Sequence, residues 1–167
     1  MKIRLAQPED ALAVARVHVR SWQAAYRGLL PDAYLDQLSA EERAARYDFA
    51  TADSAKPRTL IAEDAGIVLG FASTMPSADP LMSGYGELCA LYVDPDHWGR
   101  GIGVSLVENA RTQLVASSFG KALLWVLTGN MRAERFYSKD GWSRDGERKQ
   151  ATLWGVTVDE FRMQRDL

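Results

Sequence analysis

Glu87-Leu88-Cys89-Ala90-Leu91-Tyr92-Val93-Asp94-Pro95-Asp96-His97-Trp98-Gly99-Arg100-Gly101-Ile102-Gly103 is the stretch on which the reading of this chain turns. Its first part, with Tyr85 and Gly86 ahead of it, is rich in apolar residues and is closed by Asp94-Pro95-Asp96, as a strand ending at a turn would be. Its last part alternates glycine with other residues and then switches period. From Gly101 to about Ser117, Gly103, Leu106, Val107, Ala110 and Leu114 fall on one helical face, and Ser105, Glu108, Asn109 and Thr112 on the opposite one. A buried strand, a short glycine loop and a helix therefore follow one another. Glycine permits positive φ and close backbone approach. The first amides of a helix have no acceptor four residues back, and the dipole favours an anion beside them. The pattern predicts a cradle for phosphate or pyrophosphate; the plainer alternative is a loop that only turns the chain. A nucleotide P-loop would need Lys-Ser or Lys-Thr after its last glycine, and Val104-Ser105 stands there. The dinucleotide fingerprint fails too, because Gly99 and Gly101 are followed at the sixth position by Val104.

Outward from this stretch, the rest of the chain reads as alternating strands and helices. Ile3 to Leu5 predicts a short strand. Pro8 and Asp10 open a helix that buries Ala11, Leu12, Ala15, His18, Val19 and Trp22. Asp32 to Leu38 predicts a second helix, and the capping box Ser39-Ala40-Glu41-Glu42 a third, running to about Phe49. Arg58–Glu63 and Ile67–Ser73 flank the turn Asp64-Ala65-Gly66 as a hairpin. Beyond the central helix come an apolar strand (Ala122–Leu127), a helix (Met131–Lys139) ended by Gly141, and two closing strands at Trp142–Arg148 and Val156–Arg165. This order defines an α/β class: one mixed sheet with helices on its faces, whose central strand-helix-strand makes a right-handed parallel crossover.

Composition narrows the function. The 167 residues suit one domain, 1–167. Lysine plus arginine number 20 against 22 acids, so no global field draws nucleic acid or an anionic membrane. A single cysteine, Cys89, excludes an intrachain disulfide framework, and two histidines make a metal site unexpected. No apolar run reaches the ~18 residues of a membrane span, and Met1 to Asp10 lacks the apolar stretch of a secretion signal. The expectation is a cytoplasmic protein with no membrane partner.

The quoted stretch resembles the acyl-coenzyme A signature of the GNAT (Gcn5-related) N-acetyltransferase superfamily: a strand ending Leu91-Tyr92-Val93, a proline-containing loop, then Trp98-Gly99-Arg100-Gly101-Ile102-Gly103. Trp98 occupies a place where that family usually has Gln or Arg, which removes a polar side chain but no backbone amide. A second block, Leu124-Trp125-Val126-Leu127 followed by Asn130, Ala133, Phe136, Tyr137, Lys139, Gly141 and Trp142, resembles the family's Asn-x-x-Ala-x-x-Phe-Tyr segment and the Gly-aromatic pair after it. The resemblance implies the GNAT fold and an acetyl-CoA-dependent N-acetyltransferase with no metal. The acceptor would be the primary amine of a small molecule, and attack would be direct in a ternary complex. It also leaves room for a homodimer through exposed closing strands. The rival functions are a protein N-terminal or lysine acetyltransferase and a non-catalytic acyl-CoA sensor.

The same resemblance implies roles. Backbone groups of Leu91, Tyr92 and Val93 would meet the pantetheine arm and the thioester oxygen. The amides of Gly99, Arg100, Gly101, Gly103 and Val104, next to Trp98, would hold the pyrophosphate. Asn130 and Tyr137 lie about two helical turns apart, with small Ala133 between them. Asn130 would bond the pantetheine amides, or cap the helix. Tyr137 would protonate the departing thiolate, with an ordinary phenol value of about 10 close enough to a thiol's ~8.5, or pack as an aromatic whose hydroxyl only orients the sulfur. Glu87 would accept the amine's proton through water, or make a structural ion pair. Arg132, Arg135 and Lys139 would face the cofactor's 3′-phosphate or solvent. His18 and Cys89 read as buried structural residues. The acceptor site is expected around Trp22 to Leu38, where Trp22, Tyr26, Asp32 and Tyr34 offer aromatics and an acid to a cation; the alternative, which Trp22 fits better, is that the aromatics pack onto the sheet.

Overall fold

The computed structural model describes residues 1–167. The strands are β1 (Lys2–Leu5), β2 (Arg58–Asp64), β3 (Ile67–Pro76), β4 (Gly86–Val93), β5 (Lys121–Leu127), β6 (Ser143–Leu153) and β7 (Val156–Asp166). The helices are α1 (Ala11–Ala25), α2 (Asp32–Asp36), α3 (Ala40–Ala44), α4 (Ile102–Ala116) and α5 (Met131–Lys139). All seven strands form one sheet in the order β1-β2-β3-β4-β5-β7-β6. Only β4 and β5 run parallel, which follows from the helical crossover between them; the other neighbours are antiparallel.

The two faces carry separate cores. On one, Ile102, Leu106, Val107, Ala110 and Leu114 of α4 pack on Ala72, Leu88, Leu124 and Val126, with Trp142, Phe161 and Met163 completing the layer. On the other, Val14 and Val17 of α1 meet Ile61 and Phe71, while Trp22, Tyr26, Leu30 and Leu35 meet Leu127 and Val158. His18 is buried on this face as expected. Its Nδ1 accepts from Tyr47 Oη at 2.8 Å and Arg43 Nε at 3.3 Å, and burial holds the ring neutral.

Three of the boundary differences from the sequence expectations have a visible physical reason. A 3-10 turn, Pro8–Asp10, precedes α1, because the Asp10 carboxylate accepts from the Gln7 amide and both Arg4 terminal nitrogens. The third helix stops at Ala44, well short of Phe49, although Ser39 caps it by accepting from the Glu42 amide. Tyr47 and Phe49 stack at 4.9 Å and pack against the α1-side core, which draws the chain off the helix axis. The closing strands form a long hairpin to Leu153 and Val156; β6 is an edge strand, polar on both sides, so it lacks the alternation that betrays a strand.

Two features of β4 shape the site. Its pairing with β5 consists of Gly86 with Ala122 and Glu87 with Leu123, and beyond these the strands part. Its pairing with β3 slips between Ser73 and Thr74, so that Ala90 faces Ser73 and Leu88 faces Thr74, leaving Cys89 as the extra residue of a bulge. Leu88, Leu91 and Val93 consequently face α4, while Ala90 and Tyr92 face α1.

Candidate active site

Where β4 and β5 part, a cleft of about 710 Å³ opens, lined by Glu87 to Val93, by Trp125 to Leu127, by the glycine loop and by α5. The loop is braced before it reaches the helix. Asp94 accepts from the Asp96 amide at 3.0 Å and pairs with Arg20 at 2.8 Å, tying the turn to α1. The Val93 carbonyl accepts from Ser21 Oγ at 2.9 Å and from the Trp98 indole Nε1–H at 2.7 Å. Trp98 thus keeps a polar function that its place in the sequence did not announce. Its ring also carries the Arg132 guanidinium, 3.4 Å from the centroid, so loop and α5 are clasped together. Trp98→Phe keeps the ring and removes the donor. The expected result is a loss of about 1 kcal/mol of stability and a few-fold weaker hold on acetyl-CoA, read by urea titration and calorimetry.

Past Trp98 the backbone turns upward into solvent. Gly99 and Gly101 take φ of +76° and +80°, and Gly101 is the N-cap of α4. The amides of Gly99, Arg100, Gly101, Ile102, Gly103 and Val104 have no acceptor within the chain; the first amide bonded again is Ser105, to the Gly101 carbonyl. A row of free donors at a helix start is an anion site by electrostatics alone. Arg100, at its rim, is exposed.

The floor of the cleft is acidic. Glu87 makes no hydrogen bond, and burial raises its pKa above the ordinary carboxylate value, opposed by Lys149 and assisted by Glu160 and Asp79. Glu160, on β7, is buried, faces the same cleft and is likewise raised by burial, with Lys149 opposing. Sequence reasoning missed Glu160; its only signal was an acid at an inward position of a closing strand. Cys89 is a correction: it is exposed to the cleft, not buried in the strand core, because the bulge turns it out of the packed face. Its thiol donates to the Ser73 carbonyl, and its crowded surroundings with Glu87 close by push its pKa up to about 12, so it remains an unreactive thiol.

A second wall, adjoining the loop, comes from α5 and from aromatics. Asn130 is the N-cap, its Oδ1 accepting from the Ala133 amide at 3.1 Å, which leaves its NH₂ group available. Ala133 and Tyr137 line the cleft on the same side. The Tyr137 ring packs edge-on against Phe136 and Trp142 at 5.1 and 6.2 Å, and its hydroxyl makes no hydrogen bond. Burial, with Tyr92 and Asp140 nearby, raises its pKa well above that of a free phenol, so it stays protonated at neutral pH. Tyr26 and Tyr92 reach in from the α1 side, their hydroxyls 3.5 Å apart. Trp22, Tyr26 and Leu30 line the cleft; Asp32 and Tyr34 do not. Tyr34 instead donates to the Trp154 carbonyl at 2.6 Å and pins the tip of the β6–β7 hairpin, whose Trp154 packs on Trp22 and His18.

Residues 19–142 match the Acetyltransferase (GNAT) family. The chain belongs to this family of acetyl-CoA-using N-acetyltransferases and is by class an acyltransferase. It is 30% identical over 128 residues to the uncharacterized N-acetyltransferase YuaI of Bacillus subtilis, covering 77% of this chain and 72% of that one. Among solved structures, a Gcn5-related N-acetyltransferase from Rhodopseudomonas palustris superposes with a TM-score of 0.77 at 25% identity, over 99% of this chain and 95% of that one. The PaiA N-acetyltransferase of Thermoplasma acidophilum, solved with coenzyme A, shares the fold over the full length of both chains, with a TM-score of 0.73 at 22% identity. No helix is long and apolar enough to cross a membrane.

Proposed function

We propose that this chain moves the acetyl group of acetyl-CoA directly to the primary amine of a small molecule, in the cytoplasm and without a metal. The observation that carries this reading is the row of unpartnered amides from Gly99 to Val104, opening into a cleft that also holds Glu87 and Tyr137. Those amides bind the pyrophosphate, with Arg100 beside them. The parted edge of β4 guides the pantetheine arm. Since the Val93 carbonyl already accepts two hydrogen bonds, its contribution falls mainly to Leu91 and Tyr92. The NH₂ group of Asn130 meets the pantetheine amides, and Ala133 leaves room for the arm. The pinned tip of the β6–β7 hairpin walls the acceptor end, which favours a small amine over a folded protein.

The chemistry conserves atoms and charge. The acceptor ammonium gives one proton through water to Glu87. The neutral nitrogen attacks the thioester carbonyl, and the C–S bond breaks as the C–N bond is completed. Tyr137 gives its proton to the departing sulfur, and the acylated nitrogen sheds its second proton to become a neutral amide, which restores the phenol. A raised carboxyl pKa makes Glu87 a better base than a solvent-exposed glutamate, whose value is about 4.3. It is unprotonated only above that raised value, so kcat/KM should rise with pH along an acidic limb displaced upward from the ordinary glutamate range. Glu87→Gln should remove that limb and lower kcat by about 10²-fold or more, with little change in the KM for acetyl-CoA. A limb that stays in place would remove Glu87 from the proton path.

The reading as a whole is tested by following free-thiol release from acetyl-CoA across amines, amino acids and peptides. Turnover with small amines is the expected result. Turnover confined to peptides or protein N-termini would replace the acceptor assignment, and binding of acetyl-CoA with no turnover at all would favour a sensor.

A further inference from the structure

We infer that Glu160 is a specificity-determining residue, which with Glu87 makes the acceptor end of the cleft a receptor for cationic amines that carry no carboxylate. The inference rests on the N-acetyltransferase reading above and names the acceptor class within it.

Glu160 faces the cleft with only 8% of its side chain exposed. Neither carboxylate oxygen accepts a hydrogen bond, and the one cation beside it, Lys149 Nζ, stands 3.8 Å away, beyond direct hydrogen-bond distance. Glu87, on the same cleft, also lacks a hydrogen-bond donor. Burying a carboxylate without donors is unfavourable to folding. Such a group is satisfied when a ligand brings the missing donors.

Charge counting says what the ligand must be. Glu87 and Glu160 share one cation, and that ammonium also lies over the Trp125 ring at 3.9 Å. The next cation on this face of the sheet, Arg162, is committed to Asp145 at 2.6 Å and Asp79 at 3.2 Å. One negative charge near the acceptor end therefore has no counterpart, and a second is left over around Arg162. An ammonium group supplies both the charge and up to three N–H donors. A carboxylate on the neighbouring carbon, as in an α-amino acid, would bring a like charge into the same acidic pocket and cancel much of the attraction. The adjoining wall of Ala25, Tyr26, Leu30 and Val158 suits an apolar body behind the nitrogen. In this arrangement Glu160 holds the ammonium in place, and Glu87 takes its proton.

Matched pairs differing by one carboxylate test the idea: phenethylamine against phenylalanine, 1,5-diaminopentane against lysine, and alanine amide against alanine. With acetyl-CoA and the full chain, the carboxylate-free member of each accepted pair should have a kcat/KM at least about tenfold higher. Glu160→Gln should raise the KM for that amine by about tenfold and collapse the preference. The KM for acetyl-CoA should stay unchanged and the melting temperature should not fall, and Glu160→Asp should recover part of the loss. Preference for the amino acids, or a ratio untouched by Glu160→Gln, would overturn the assignment of Glu160 while leaving the transferase intact. Bound acetyl-CoA with no thiol release from any pair would instead sink the small-amine reading, and this inference with it.

Discussion

Gly101→Glu should abolish acetyl-CoA binding in a calorimetric titration while the chain stays folded by circular dichroism. Gly101 holds φ +80° at the N-cap of α4, and a Cβ built there meets nothing within 4 Å. The cost to folding is thus the left-handed backbone alone, about 1–2 kcal/mol for a non-glycine residue, which a domain of this size tolerates. The cost to binding is much larger. The new carboxylate sits among the free amides of Gly99 to Val104 and satisfies them from within, and it opposes the diphosphate with like charge. Affinity should fall by about 10²-fold or more, on the scale of a lost charge-assisted anion site. Gly101→Ala separates the two costs: it carries the strain without the charge, so it should lose about 1 kcal/mol of stability and bind within about tenfold of the parent. If Gly101→Glu binds normally, the diphosphate lies elsewhere and the cradle is only a turn.

Tyr137→Phe should lower kcat by about 10²–10⁴-fold and leave the KM for acetyl-CoA within a few-fold. The ring's packing on Phe136 and Trp142 does not involve its oxygen, and the hydroxyl has no partner in the chain, so the substitution removes a proton donor and little else. Burial holds the hydroxyl's pKa above its free value, which has two consequences. The proton is in place across neutral and moderately alkaline pH, so a basic limb near pH 8–9 would not belong to this phenol in the free enzyme. The same burial makes the phenol a weaker acid than in water. Transfer to sulfur then depends on the thiolate forming in the same desolvated cleft, where its own affinity for a proton is also raised. Unchanged turnover in Tyr137→Phe would move the acid role to another group, with Tyr92 and Tyr26 the nearest hydroxyls on the cleft's other wall.

The fold was legible because its signals are local. The apolar run to Val93, the glycines after Trp98 and the change to a helical period place a strand, a loop and a helix without reference to anything distant. The same holds for the hairpin around Asp64-Ala65-Gly66 and for the end of α5 at Gly141, whose φ is +88°. The short α3 and the long β6 depart from the local pattern for a common reason: contacts made elsewhere in the fold override local preference. Tyr47 leaves the helical path to reach His18, and β6 is held along its length by β7 while its own side chains remain polar.

Within the site, the anion cradle and the pair Asn130 and Tyr137 could be read directly, since backbone amides and helical spacing depend only on neighbours in the chain. The acidic end of the cleft could not. Glu87 and Glu160 lie 73 residues apart in sequence and meet only because β4 and β5 part and β7 returns beside β5. The indole of Trp98 looked like a lost polar group until the fold brought the Val93 carbonyl within 2.7 Å of its nitrogen. Cys89 reads as a buried strand residue, and a one-residue bulge opposite Ser73 and Thr74 turns it to the cleft. Near neighbours in the chain set the strand, the glycine turn, the helix start and the groups they expose. Which distant side chains share one desolvated space is a property of the assembled fold, because burial and charge balance depend on every element around a group and not on the residues beside it.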